Sequence, residues 1–175
     1  PEVLPGEGGH VIELATALAP DAIERREQLA WVLRSASGFV RVLEGQAAML
    51  PGSSKLLLPQ ALAAAASGQL SAMQAFRFWA RIEESSGWFH TKGLGQLGLP
   101  EVEAPVDLLP SPERTAQLAQ WMGATLLEKT PLPALGTELL LGEDSFLVAP
   151  GRRGPRRGKS YGRWGAIGLV ASDPR

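Results

Sequence analysis

The feature that most constrains the fold of this sequence is a helix with a clear start, placed between two groups of strand-like segments. Ser111, Pro112 and Glu113 combine a hydroxyl cap, a proline where no N–H is needed and an acid facing the helix dipole. The apolar stripe of this predicted helix, over residues 112–128, consists of Leu118, Trp121, Met122, Thr125 and Leu126. Such a helix packs on an apolar surface, which the strand-like segments supply as a sheet.

Two shorter helices are predicted earlier in the chain, over residues 21–36 and 59–66. Gly38 is expected to end the first, because glycine takes the left-handed cap at no steric cost. The remaining apolar runs have strand character, and the turn Ser85–Ser86–Gly87 predicts that two of them form a hairpin. The predicted strands cover residues 10–16, 39–49 (with a turn at Glu44–Gly45), 76–82, 88–92, 137–141, 145–149 and 161–171. The sequence therefore predicts an α+β fold, a mostly antiparallel sheet with about three helices packed on it.

Length and composition favour one domain, formed by residues 10–175 after a loose arm at 1–9. The absence of cysteine excludes disulfides, thiolate nucleophiles and cysteine-ligated metals. The first residues lack the basic and apolar stretches of a signal peptide, and the weakly polar run 56–66 is too short to cross a bilayer. We therefore expect a cytoplasmic protein that has no membrane partner and needs no cofactor.

Residues 88–103 read WFHTKGLGQLGLPEVE, a strand that enters a glycine-rich turn and continues into a proline and two acids. This segment resembles the uncharacterised bacterial domain of unknown function family 4261, over roughly residues 75–150. The resemblance implies an α+β domain without an established activity, and it brings no catalytic residues. The matching residues are Thr91, Gly93, Leu94, Gly98, Pro100, Glu101, Val102 and Glu103.

The glycines of this segment allow two interpretations. Backbone N–H groups after a strand can form an anion cradle, assisted by Lys92 and His90. The favoured alternative is a structural turn, in which Gly93 and Gly98 have positive φ or another backbone packed against them. Glu101 and Glu103 are expected on one exposed strand face. A secondary candidate pocket consists of His90, Thr91, Lys92, Gly93, Glu101 and Glu103.

Catalysis and metal binding receive little support from the sequence. The two histidines, His10 and His90, lie in different segments and lack the spacing of a metal site, so neither catalytic nor metal-binding residues are predicted. A hydrolase that uses His90 with Glu101 or Glu103 is the third of our functional hypotheses.

The strongest charge feature is a basic loop at residues 151–159. Residues 1–150 carry 17 acidic and 10 basic residues, a net charge of −7, whereas residues 151–175 carry 1 and 7, a net charge of +6. Such a loop suits phosphate, nucleic acid or an acidic protein surface, which makes an anion- or nucleic-acid-binding module the second hypothesis. The leading hypothesis is a non-catalytic domain of unknown role that acts through an unknown protein partner or self-association. The candidate anion-binding residues are Arg152, Arg153, Arg156, Arg157, Lys159 and Arg163.

Overall fold

The fold is seen in a computed structural model that describes residues 12–14, 22–50, 53–67, 70–128, 132–142, 144–151 and 165–172. The helices are α1 (Ala22–Val42), α2 (Pro59–Ser67), α3 (Ala72–Trp79) and α4 (Pro112–Glu128). The strands are β1 (Ala48–Leu50), β2 (Lys55–Leu57), β3 (Arg81–Ser85), β4 (Trp88–Lys92), β5 (Glu101–Pro105), β6 (Glu138–Leu141), β7 (Asp144–Pro150) and β8 (Ala166–Ala171). A 3₁₀ turn, Gly95–Leu97, precedes β5.

The strands form a six-stranded sheet in the order β3-β4-β5-β8-β7-β6 and a separate β1-β2 hairpin. All neighbours in the large sheet are antiparallel except β5 and β8. The predicted α+β class with a mostly antiparallel sheet is therefore confirmed. The helices predicted at 59–66 and 112–128 are confirmed as α2 and α4, and the predicted hairpin is β3-β4. No helix among the described residues is long and apolar enough to cross a membrane.

The first helix is longer than predicted, because Gly38 does not end it. α1 continues to Val42, so Val40 also packs against the core. The chain leaves the helix at Glu44, which takes the left-handed conformation (φ 52°), while the Gly45 amide donates to the Val40 carbonyl at 2.7 Å. The strand predicted over 39–49 is therefore wrong except for β1 at its end.

The strand predicted over residues 76–82 is also wrong in its first half, which is helix α3. Ser71 and Gln74 form a capping box, in which the Ser71 side chain accepts from the Gln74 amide and the Gln74 side chain accepts from the Ser71 amide. The buried residues of α3 then follow helical spacing, and the Phe76 ring lies against Gly123 of α4. The apolar residues of this segment fit both the alternation of a strand and the spacing of a helix, and the Ser71 cap favours the helix. The buried positions are Ala72, Ala75, Phe76 and Trp79.

The core lies between the large sheet and the helices, with α4 packed on β3, β4 and β5. Val102 and Ala104 of β5 belong to the core, so the alternating residue Glu103 lies on the opposite face of the sheet. Part of the strand predicted over 10–16 and part of that predicted over 161–171 lie outside the described residues. Residues 12–14 belong to no helix or strand, and β8 begins at Ala166.

Candidate functional site

The turn between β4 and β5 is built around the carboxylate of Glu101. The carboxylate accepts hydrogen bonds from the Thr91 hydroxyl (Oγ1–Oε2, 2.6 Å) and from the backbone amides of Gly93 (3.0 Å) and Gly95 (2.8 Å). Thr91 Oγ1 in turn accepts from the Val102 amide at 2.8 Å. The converging amides form a cradle for an anion, the less favoured of the two interpretations, but the anion that they hold is a carboxylate of the same chain, and Lys92 and His90 contact Glu83 instead.

Glycine is required at one position of this turn and favoured at another. Gly93 has φ 120°, and a Cβ at this position would overlap the Trp79 carbonyl oxygen and lie 3.1 Å from the Ala80 Cα. Gly98 has φ 70° and follows the 3₁₀ turn. The predicted positive φ at Gly93 and Gly98 is therefore confirmed, and the turn has the structural role that the sequence favours.

The two glutamates of β5 are buried, so the predicted exposed strand face is wrong. The exposed fraction is 6% for Glu101 and 1% for Glu103. The physical reason for Glu101 is that the glycine turn folds over its carboxylate. Glu103 lies on an interior strand, flanked by His90 of β4 and Gly168 of β8. His90 is likewise buried, with only 4% of the residue exposed.

The cationic side chains at this end of the sheet meet at Glu83 of β3. The Glu83 carboxylate contacts the Arg81 guanidinium, Lys92 Nζ at 3.6 Å and His90 Nε2 at 3.3 Å. Burial acts to raise the pKa of Glu83, but the charges of Arg81 and Lys92 and the hydrogen bonds from Arg81 and His90 hold this pKa below its usual value. Lys92 and His90 therefore belong to an ion cluster centred on Glu83 rather than to the Glu101 cradle.

Glu83 was missed in the sequence, although the hairpin turn contains the signal for it. The two-residue turn Ser86–Gly87 pairs Ser85 with Trp88, and counting along both strands from this pair brings Glu83 opposite His90. The register continues across the sheet, where His90 pairs with Glu103. An acid–histidine–acid row therefore crosses three strands.

Glu103 differs from the other members of this row in its hydrogen bonding. Neither Oε1 nor Oε2 of Glu103 has a hydrogen-bond partner in the part of the chain that the structure describes. Its neighbours along the row are His90 on β4 and Gly168 on β8. The secondary candidate pocket is thus divided between a satisfied cradle at Glu101 and an unsatisfied carboxylate at Glu103.

The sequence also did not predict a second apolar face on α1. The inner face carries Leu29 and Leu33, which are buried in the core. On the opposite side Trp31, Phe39 and Val42 are 54%, 44% and 73% exposed. These three residues recur at helical spacing, but a helix that ends at Gly38 would separate Phe39 and Val42 from Trp31. The exposed face was therefore missed because the helix was predicted to end at Gly38, whereas α1 continues to Val42.

The six candidate residues of the basic loop lie outside the described residues, so the anion-binding hypothesis stays a prediction. The structure does place Gly151 and Gly165, the described residues on either side of 152–164. The Gly151 amide donates to the Ala166 carbonyl at 3.0 Å, and the Glu101 amide donates to the Gly165 carbonyl at 3.1 Å. Gly165 therefore lies beside the first residue of β5, whose carboxylate occupies the cradle.

No family model, curated protein or solved structure matches the chain. The resemblance noted for residues 75–150 therefore stays a prediction.

Proposed function

We propose that this chain is a non-catalytic interaction domain that self-associates through the outer face of α1. The observation that carries the proposal is the exposure of Trp31, Phe39 and Val42 on a helix whose inner face is already packed. Large aromatic side chains dominate the energetics of protein interfaces, and grouped exposed apolar residues mark interaction sites. A shallow groove beside Trp31, lined by Glu27 and Arg34 among others, lies on the same face.

The surface between these large residues favours the close approach of another helix. Ser35 and Gly38 lie between Trp31 and Phe39 on the outer side of α1. A Cβ built at Gly38 would meet no atom within 4 Å, so this position faces open space. Large side chains beside a small-residue notch allow ridge-into-groove helix packing.

The distribution of charge on α1 indicates a second copy of the chain as the partner. Glu27 is exposed toward the helix N-terminus, and Arg41 is exposed toward the C-terminus. In an antiparallel pair of α1 helices, each Glu27 comes close to Arg41 of the second copy. A single surface that carries both members of the pair is self-complementary, as a two-fold interface requires.

The helical repeat sets the position of the two-fold axis. With 1.5 Å of rise per residue, an axis between Arg34 and Ser35 places Trp31 level with Gly38 of the second copy. Glu27 then lies about one residue, on the order of 1.5 Å along the helix axis, from the level of Arg41 of the second copy. Arg34 lies at the rim of this contact, on the side that carries Glu27 and Arg41. The aromatic ring therefore fills the notch while the ion pairs form along the rim.

Sedimentation equilibrium over a concentration series tests the proposal. We expect the wild-type mass to rise toward twice the chain mass, and we expect the variant Trp31→Ser/Phe39→Ser to stay monomeric. Leu140→Ser is the control, because it removes an apolar side chain that is even more exposed, on β6 at the outer edge of the large sheet, and should leave the dimer intact.

Two results would contradict self-association through α1. One is a wild-type chain that is monomeric throughout the series. The other is loss of the dimer in Met49→Ser/Leu56→Ser, with Trp31→Ser/Phe39→Ser still dimeric. Met49 and Leu56 are exposed partners on the β1-β2 hairpin, so this result would assign the contact to the hairpin.

The other two hypotheses stay predictions. An anion- or nucleic-acid-binding role depends on the basic loop, whose arginines lie outside the described residues. A hydrolase based on His90 has no support from Glu101, because both oxygens of that carboxylate accept hydrogen bonds within the turn. Glu103 and His90 remain side by side, but both are buried.

A further inference from the structure

The carboxylate of Glu103 is buried without a donor in the described part of the chain. Only 1% of the residue is exposed, and both side-chain oxygens lack a hydrogen-bond partner. An ion removed from water in this way is costly unless it is paired. A locally unfavourable arrangement of this kind is typical of a binding site, where a ligand supplies the missing partner.

The neighbouring groups do not satisfy Glu103. His90 is opposite Glu103 on β4, but its Nε2 is directed to Glu83. Arg81 and Lys92 at this end of the sheet contact Glu83, and Lys55 donates to the carbonyls of Arg77 and Ala80. Glu83 and Glu103 flank the same histidine, but their surroundings differ. The Glu83 carboxylate contacts Arg81, His90 and Lys92, whereas the Glu103 carboxylate accepts no hydrogen bond from these three side chains.

The number of available ligand atoms points to an organic cation rather than a metal ion. Metal sites need several side-chain ligands, and no group of three or more His, Cys, Asp or Glu among the described residues is placed to hold a metal. A planar guanidinium needs only one carboxylate, because its parallel N–H groups donate to both oxygens at once. Glu103 offers two oxygens that are both free of described partners.

We propose that Glu103 is the anchor of a binding site for a guanidinium group, carried by a small molecule or by an arginine side chain. The site lies on the sheet face opposite Val102 and Ala104, which pack in the core. Its neighbours on β8 and β7 along the row are Gly168 and Ala149, which carry little or no side chain. Because only 1% of Glu103 is exposed, a ligand on this face must displace the groups that cover the carboxylate. This proposal does not depend on self-association.

Calorimetric titration with N-ethylguanidinium at millimolar concentration tests the site, with ethylammonium as a control of equal charge. We expect N-ethylguanidinium to bind the wild type in preference to ethylammonium. Glu103→Gln should weaken this binding about 10- to 100-fold, the effect of losing charge-assisted hydrogen bonds. The control Glu84→Gln removes an exposed carboxylate from β3, two strands away from β5, and should leave the affinity unchanged.

A variant with Arg152, Arg153, Arg156 and Arg157 changed to Ser distinguishes the two sources of the guanidinium. If an arginine of the basic loop is the natural ligand, this variant binds N-ethylguanidinium more tightly than the wild type. If the natural ligand is a separate molecule, the wild type and this variant bind N-ethylguanidinium with equal affinity.

The proposal is overturned if neither the wild type nor the loop variant binds N-ethylguanidinium in preference to ethylammonium. It is also overturned if Glu103→Gln binds N-ethylguanidinium as tightly as the wild type. Should Glu103→Gln fail to fold, the ¹³C shift of the Glu103 carboxylate in the wild type provides the second readout. A shift that does not change on addition of N-ethylguanidinium also overturns the proposal.

Discussion

The turn around Glu101 and the outer face of α1 differ in where their interacting groups find partners. At the turn, the hydroxyl of Thr91 and the amides of Gly93 and Gly95 all donate to one carboxylate. On α1, Trp31 and Phe39 expose about half of their surface although the other side of the helix is packed. The first region is complete within one chain, whereas the second leaves large apolar side chains exposed, which we propose a second copy of the chain covers.

Because of this difference, substitutions at the turn should change the free energy of unfolding, whereas substitutions on the outer face of α1 should change association. Groups that are satisfied within the chain contribute to the free energy of unfolding, and their loss leaves buried donors unpaired. Exposed groups contribute little to that free energy, but they contribute to association if they form an interface.

The largest effect is expected for Glu101→Ala. Removing the carboxylate leaves three buried or partly buried donors without an acceptor, so we expect the free energy of unfolding to fall by about 3 kcal/mol or more. Urea denaturation of the variant beside the wild type measures the loss. Glu84→Ala is the control, since Glu84 is exposed on β3. Equal losses for the two variants would show that the Glu101 network does not stabilise the turn.

Gly93→Ala should give the next largest loss. The substitution places a Cβ against the Trp79 carbonyl oxygen at a residue with φ 120°. We expect a loss of about 2 kcal/mol or more, from the combined cost of backbone strain and overpacking. The same denaturation series provides the measurement, and an unchanged midpoint would contradict the structural role of this glycine.

Gly38→Ala should have the opposite effect on stability. Gly38 lies inside α1, and its Cβ position is open, so alanine should stabilise the helix by about 1 kcal/mol. In the proposed dimer the same methyl group would occupy the notch that receives Trp31 of the second copy. We therefore expect higher monomer stability together with weaker association, measured by denaturation and sedimentation on the same sample. An increase in both quantities would place the contact elsewhere.

Local signals in the sequence were sufficient for the elements whose ends are chemically marked. The cap at Ser111–Pro112–Glu113 predicted the start of α4, and the turn Ser85–Ser86–Gly87 predicted the β3-β4 hairpin. The glycine spacing predicted a turn with positive φ at Gly93 and Gly98. In each case the determining residues are neighbours in sequence, so the physical cause is present in the pattern itself.

The missed features depend on residues that are distant in sequence. The interior position of β5 depends on its parallel pairing with β8, which begins only at Ala166. The extension of α1 beyond Gly38 depends on Val40 packing against the core. Residues 76–79 satisfy both strand and helix periodicity, and only the Ser71 cap decides between them. Pattern alone cannot contain this tertiary information.

The central claim is that α1 is a self-complementary surface on which Glu27 faces Arg41 of a second copy. Dissociation constants of four proteins at low salt test it most directly, namely the wild type, Glu27→Arg, Arg41→Glu and the double variant. Each single change places like charges together at two symmetry-related contacts. With up to about 1 kcal/mol for each contact, we expect each single change to weaken the dimer about tenfold. The double variant should regain the wild-type affinity, because the exchanged charges again attract. A double variant that is as weak as the two single changes combined would contradict the antiparallel α1 contact.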